Sequence, residues 1–323
     1  MLRANPLTFL GFVLVVLLVV AAVLVVLSPQ LLVPYRATQE TKAYTVPPTL
    51  LRWPPSLVHP FGTDETSFDL YSEVMLALPL DLAIGLFIAG SALLLGGALG
   101  LVAGFWDRPG TIGAVASAAI LRTTDVFLAF PSLLLALAIV AALGFNLNAL
   151  LLALVLTWWP YYVRLVRGEV LAIRHLPYVT AARAAGVGEL RILGRHVVRN
   201  LLEPVVVYFT LDIGTVLVSF STISFVFGAA IAYPRPPEWG NMLSTFQVNQ
   251  PITHAWWLIA FPALAIFVTA LAFSLFGDGL RDVLDPRTRR ALVQSQGVSA
   301  APPPSELAQP TGPAAESAGG SGP

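Results

Sequence analysis

The hydrocarbon core of a bilayer is about 30 Å thick and takes about 20 apolar residues of helix to cross. Six stretches of this chain meet that length. The first, LTFLGFVLVVLLVVAAVLVVL (Leu7 to Leu27), is preceded only by Arg3. It is longer than the roughly 7–15 apolar residues of a secretory signal, and no small-x-small cleavage pattern follows at once, so it is expected to be a retained anchor helix. The others run from about Leu80 to Phe105, Asp125 to Gly144 (with a helical lead-in from Gly113), Asn148 to Val166, about Leu201 to Gly228, and about Ala255 to Phe276. Pro131, Pro160, Pro204 and Pro262 lie in or near these runs. Membrane helices tolerate proline where neighbouring helices satisfy the freed carbonyls, so each run is expected to remain one span. The fold class that follows is an all-α membrane protein of six transmembrane helices.

Composition agrees. Only 11% of the 323 residues are charged and mean hydropathy is +0.78, too few charges to cover a water-soluble domain. There is no cysteine, which excludes disulfides and thiolate sites. A formal net charge of zero argues against nucleic-acid binding. Where the basic residues lie is more telling. The stretch from Arg164, at the end of the fourth run, to Arg199 carries Arg164, Arg167, Arg174, Arg183, Arg191, Arg195 and Arg199 against Glu169 and Glu189. The loops 144–148 and 229–254 hold only Arg235 and Glu238 between them, while Arg281, Arg287, Arg289 and Arg290 follow the last run. The positive-inside bias puts that Arg-rich loop and both termini in the cytoplasm. The chain then divides into an anchor helix (1–28), an external segment (29–79), a core of five transmembrane helices (80–290) with its cytoplasmic loop at 167–200, and a tail (291–323). Prolines favour extended structure in the external segment. The Pro-, Gly- and Ser-rich tail has no apolar periodicity and is expected to be disordered.

Charges at membrane depth are few. Asp81 is expected at the outer end of the second run, and Arg122 and Asp125 at the inner end of the third; Asp212 alone is expected to be deep. A buried carboxylate in a bundle is a candidate pathway residue, whether paired, facing a pore or relaying protons. The small residues of GGALG (Gly96 to Gly100), with Gly85 and Gly90, permit close helix contact, either within the bundle or as a moving interface with a second subunit. Catalytic chemistry is missing. The histidines His59, His175, His196 and His254 form no HExxH and no pair at metal-ligand spacing, and no P-loop occurs. FGDG (Phe276 to Gly279) lacks the partners of an intramembrane aspartyl protease. No nucleophile, base and oxyanion set remains for an enzyme.

Within the Arg-rich loop, YVTAARAAGVGELRILGRHVVRN (Tyr178 to Asn200) has its own design. From about Pro177 the alanines favour a slim helix. Gly186 stops it, Gly188 allows a turn, and ELRILGRHVVRN resumes a helix into the fifth span. Such a narrow exposed helix suits docking into a groove on another protein; it also suits an amphipathic loop resting on anionic headgroups.

The loop resembles the EAA loop of importer-type ABC transporter permeases in Thr180-Ala181-Ala182-(x3)-Gly186, followed by His196 and Asn200. Thr180 stands where that family has an acidic residue, and Arg199 where it has proline. Beyond the loop, HPFGTDE (His59 to Glu65), RTTDVFLAFPSLLLALAIVAALG (Arg122 to Gly144), WWPYYVRLVRGEVLAIRHLPYVTAARAAG (Trp158 to Gly186), EWGNML (Glu238 to Leu243) and LAFSLFGDGLRDVLDPR (Leu271 to Arg287) are similar to the dipeptide/oligopeptide/nickel permease group. The resemblance implies a type I ABC importer permease architecture: one of two homologous permease subunits, clamped on the cytosolic face by two cytoplasmic nucleotide-binding ATPase subunits and served by an extracytoplasmic peptide-binding protein. Tyr178, Thr180, Ala181, Ala182, Arg183, Ala185, Gly186, Glu189, His196 and Asn200 would then form the coupling surface. The chain would hold no cofactor or metal of its own, since ATP and Mg belong to partner subunits, and it would sit in a bacterial or archaeal plasma (inner) membrane. The competing expectation is a stand-alone channel or proton-coupled carrier using Asp212 and Asp125.

Overall fold

A computed structural model describes residues 6–34, 53–64, 68–228, 237–249 and 255–284. The tail expectation and those for Arg235, His254, Arg287, Arg289 and Arg290 lie outside these residues. Among the described residues the order is α1 (Pro6–Leu27), α2 (Leu70–Phe105), α3 (Ile112–Leu128), α4 (Ser132–Leu143), α5 (Leu147–Ile173), α6 (Pro177–Ala184), α7 (Glu189–Ile192), a π-helical turn (Leu193–Val197), α8 (Val198–Phe227), α9 (Trp239–Asn249) and α10 (Trp257–Leu284). Five helices are long and apolar enough to cross a membrane: α1, α2, α5, α8 with its lead-in from Glu189, and α10. The pair α3 and α4 passes the same test together but is bent by 88°.

That bend corrects the expectation that proline leaves every span whole. Pro131 has φ −57° and ψ 123° and stands at the N-cap of α4, so the chain leaves helical geometry between Leu128 and Ser132. Proline lacks the N–H that would continue the ladder and pushes its predecessor out of helix. Pro160, Pro204 and Pro262 lie inside α5, α8 and α10 without ending them.

A second feature not foreseen is where α2 starts. Its N-cap is Asp69, whose Oδ2 accepts from the Ser72 backbone N–H at 2.9 Å and the Ser72 hydroxyl at 2.6 Å. This cap adds about ten residues ahead of the apolar run that begins near Leu80. The 53–64 segment straps onto this extension. His59 Nδ1 lies 2.9 Å from Asp69 Oδ1, the Phe61 ring stacks on Phe261 at 3.9 Å, and Trp257 donates to the Thr63 carbonyl at 3.1 Å.

Glycines set the closest helix contacts. A Cβ at Gly96 would lie 2.2 Å from the Trp159 carbonyl oxygen, one at Gly100 2.9 Å from that of Val163, and one at Gly104 2.8 Å from Val170 Cβ. Spaced four apart, the three share one face of α2, and that face receives α5 running parallel. Gly96 and Gly100 therefore pack inside the bundle and Gly85 faces Ile213 and Leu217 of α8, whereas nothing lies within 4 Å of a Cβ at Gly90. Antiparallel α10 is seated on α8 in the same way, through Gly214 against Ala270 and Gly277 against Leu211. Apolar side chains alone do not drive association in lipid, so close backbone approach supplies the dispersion contact that holds these pairs.

Two apolar cores result. The larger joins α2, α4, α5, α8, α9 and α10 around residues such as Ile88, Leu154, Phe220 and Trp239. The smaller gathers Phe105, Val166, Val170, Ile173, Val179, Ile192 and Val197 where α5 turns toward α6. The outward faces of α1 remain apolar and exposed, among them Leu7, Leu17, Val26 and Leu27.

Candidate functional site

At the end of the bundle where α5 gives way to α6, basic side chains close off helix termini. Arg174 donates from Nη1 to the carbonyls of Gly104 (2.8 Å) and Asp107 (3.1 Å), satisfying acceptors that the end of α2 leaves without helical partners. Arg167 pairs with Asp107 at 3.0 Å. Pro177 then opens α6 at the position where a missing N–H costs nothing.

Only one side of α6 is anchored. Val179 is buried and Ala182 packs against the smaller core, while Tyr178, Thr180, Ala181, Arg183, Ala185 and Gly186 are exposed. Gly186 has φ +79°, a left-handed conformation that ends the helix and that a side chain would strain. No atom lies within 4 Å of where its Cβ would be, so the constraint there is the backbone and not crowding. Beyond the turn, Glu189 opens α7. Its Oε1 accepts from Arg108 (2.6 Å) and Arg183 Nε (3.0 Å), and its Oε2 from Arg183 Nη2 (3.3 Å). One carboxylate thus ties the exposed helix to the α2–α3 turn. His196 lies in the π-helical turn with its ring 6.1 Å from that of Tyr178, and Asn200 bonds the His196 carbonyl.

Of the residues expected on this loop, the structure brings Tyr178, Arg183, Glu189, His196 and Asn200 together around α6. Sequence reasoning missed Asp107 and Arg108. Their signal was present: the turn WDRPG, counted by spans, falls on the same side as the Arg-rich loop.

Asp212 lies in the middle of α8 and is buried. Its Oδ1 accepts from the Trp158 indole at 3.0 Å and its Oδ2 from the Tyr162 hydroxyl at 2.8 Å, while Tyr208 meets the Tyr162 ring edge-on at 5.3 Å. The carboxylate is thus a cross-link between α5 and α8. Asp125 is elsewhere, exposed on α3 and paired with Arg164 at 2.8 Å. The two acids share no hydrogen bond or ion pair among the described residues. Asp81, expected at a helix end, is fully buried on α2. Exposed polar groups also mark α8, where Thr215 and Thr222 are open and Ser219 is half-buried. These hydroxyls and the exposed Arg122, Asp125 and Arg164 belong to a surface that lipid solvates poorly.

A bundle of membrane-crossing helices with its buried acid held in a cross-link between two of them, and with a short exposed helix at one end, has the architecture of a membrane transport subunit. The comparison with known proteins agrees: residues 96–290 match the family described as binding-protein-dependent transport system inner membrane component. The chain belongs to that family of transport permeases, and is a multi-pass inner-membrane protein. It is 37% identical over 287 residues to the probable D,D-dipeptide transport system permease protein DdpC of Escherichia coli, covering 89% of this chain and 90% of that one. It is 36% identical over 288 residues to the dipeptide transport system permease protein DppC of Alkalihalophilus pseudofirmus, covering 89% and 88%. The glutathione transport system permease protein GsiD of Escherichia coli is 38% identical over 243 residues, covering 73% and 74%.

Proposed function

We propose that this chain forms half of the translocation pathway of an ATP-driven peptide importer in a bacterial inner membrane, with both termini and α6 on the cytoplasmic side. The observation that carries the coupling role is the mounting of α6. It is open on the face bearing Tyr178, Ala181 and Ala185, anchored beneath by Val179, and clamped at its C-terminal end through Arg183 and Glu189. A helix held this way delivers a push to the bundle without bending. A homologous permease completes the pathway, an extracytoplasmic binding protein delivers substrate, and ATP and Mg act on cytoplasmic ATPase subunits that α6 contacts. Their closure shifts the balance between two discrete arrangements of the spans.

The peptide assignment is supported by the substrates named for the similar permeases, which are a D,D-dipeptide, dipeptides and glutathione. The exposed Thr215, Thr222, Asp125 and Arg164 would border the aqueous route.

Affinity purification from native membranes in mild detergent, with the co-purifying chains identified by mass spectrometry, tests the assembly. A second permease and a P-loop ATPase are expected; recovery of this chain alone in several detergents overturns the proposal. Uptake of a labelled dipeptide into cells with and without the chain tests the substrate, and uptake unaffected by its loss removes the peptide assignment.

A further inference from the structure

At the end of the bundle opposite α6, two carboxylates are buried side by side. Asp81 on α2 is 0% exposed and Glu238, just before α9, is 3% exposed. Their surroundings differ. Glu238 accepts from the Ser224 hydroxyl and from the backbone N–H groups of Gly240 and Asn241, so three donors converge on it. Among the described residues Asp81 accepts only from the Trp239 N–H, at 3.1 Å on Oδ2, and its Oδ1 has no hydrogen-bond partner. The Ser221 hydroxyl, also buried, is likewise unpartnered. It lies one turn before Ser224 on α8, and its backbone touches Gly240. A Cβ at Gly85 would contact Ile213 and Leu217, which sets Asp81, one turn earlier on α2, level with Ser221.

We propose that Asp81 and Glu238 hold one proton between them, and that this proton latches α9 against α2 and α8. Two anions cannot share a dry site without a cation or a proton. No arginine, lysine or histidine pairs with either acid among the described residues. On α2 the next ionisable group is Glu73, two turns away; on α8 it is Asp212; on α10 it is Asp278; on the 53–64 strap, His59 is engaged by Asp69. The proton is shared: Asp81 Oδ1, without a donor among the described residues, takes part of it, three donors at the positive end of α9 stabilise the charge left on Glu238, and the two acids titrate as one unit. Asp81 accepts from Trp239 N–H with or without the proton, so the latch and the helix cap operate together.

The direction with pH follows. Burial pushes the Glu238 carboxyl up to about 7, with the Ser224 hydroxyl and the N–H groups of Asn241 and Gly240 opposing the rise. An undocked, hydrated carboxyl releases its proton near the ordinary value of about 4.3. Docking α9 therefore takes up a proton. It is fully supported in acid and weakens as pH rises through about 7.

The chain has no cysteine, so a single introduced thiol reads the latch directly. Leu243→Cys places it on α9, where Leu243 packs against the larger core. Leu57→Cys, at a fully exposed position, corrects for the reactivity of the thiol itself. Labelling by an impermeant maleimide, expressed as the ratio of the two rates, is expected to rise at least about threefold between pH 5.5 and 8.5. Adding Asp81→Asn should hold the ratio flat at its acid value. Should that variant fail to fold, Glu238→Gln provides the same readout. A ratio independent of pH in the Leu243→Cys protein, or full pH dependence persisting with Asp81→Asn, overturns the latch. A ratio at pH 8.5 lowered by sodium but not by choline would make the occupant a cation and overturn the proton assignment. None of these outcomes bears on the transport role, which stands or falls with uptake and co-purification.

Discussion

The two ends of this bundle are fastened by opposite means. Around α6, the links are arginine–carboxylate pairs in reach of water: Arg108 and Arg183 on Glu189, Arg167 on Asp107. Around α9, the links are buried and contain no cation among the described residues. Trp239, 2% exposed, donates its indole N–H to the Val74 carbonyl and its backbone N–H to Asp81. Exposed ion pairs are individually weak and exchange partners readily. Buried hydrogen bonds and aromatic packing are costly to break and close to all-or-none. One end is therefore suited to taking up a load that changes, and the other to staying shut until a specific event releases it.

The largest effect expected from this contrast is at Trp239. Trp239→Ala empties a buried site and removes the indole N–H that the Val74 carbonyl accepts, and should lower stability by about 3–5 kcal/mol. Thermal unfolding of the purified protein in detergent measures it, and a loss no greater than that of Tyr178→Ala would erase the contrast. Next is the cross-link between the ends. Asp212→Ala strands the buried Trp158 and Tyr162 donors and should cost about 1–3 kcal/mol, with Asp212→Asn recovering much of it through its remaining carbonyl. If Asp212→Asn is as stable as the parent yet loses uptake, the residue serves the pathway and not only the α5–α8 joint.

At the α6 end, Gly186→Val forces a β-branched residue into left-handed geometry, at roughly 1–2 kcal/mol. Gly186→Asn tolerates that geometry. Uptake lost in the first and kept in the second would place the requirement in the backbone; uptake lost equally in both would place it on the surface that α6 presents. The smallest change in stability belongs to Glu189→Gln, within about 1 kcal/mol because its partners are exposed. Its effect should fall on coupling: ATP hydrolysis continuing while uptake drops, with added salt reproducing part of the loss in the parent protein.

What could be read from the sequence divides along the same physical line. Long apolar runs and the placement of arginine report on solvation, which is local, and they located the spans, the α6 helix and its Gly186 stop. The break at Pro131 was missed because the tolerance of membrane helices for proline depends on neighbouring carbonyl partners, which no single run reveals. The α2 extension from Leu70 and the α9 helix were missed because both are too polar to register as membrane segments, although Asp69 and Glu238 stand at their starts as capping residues. The depth of Asp212 was legible, but its partners Trp158 and Tyr162 are 54 and 50 residues away. Asp81 was expected at an edge because its burial depends on α9 folding over it.

The glycine ladder carries a mechanical consequence. With the backbones of α2 and α5 touching at Gly96, Gly100 and Gly104, there is no cushion of side chains in which the two could slide. They act as a spliced girder about 12 Å long at the splice, since eight residues of helix rise by that much. A thrust applied at the α6 end, as the proposed coupling requires, would be carried by both helices together to the level of Trp159, and the 88° elbow between α3 and α4 lies outside that splice.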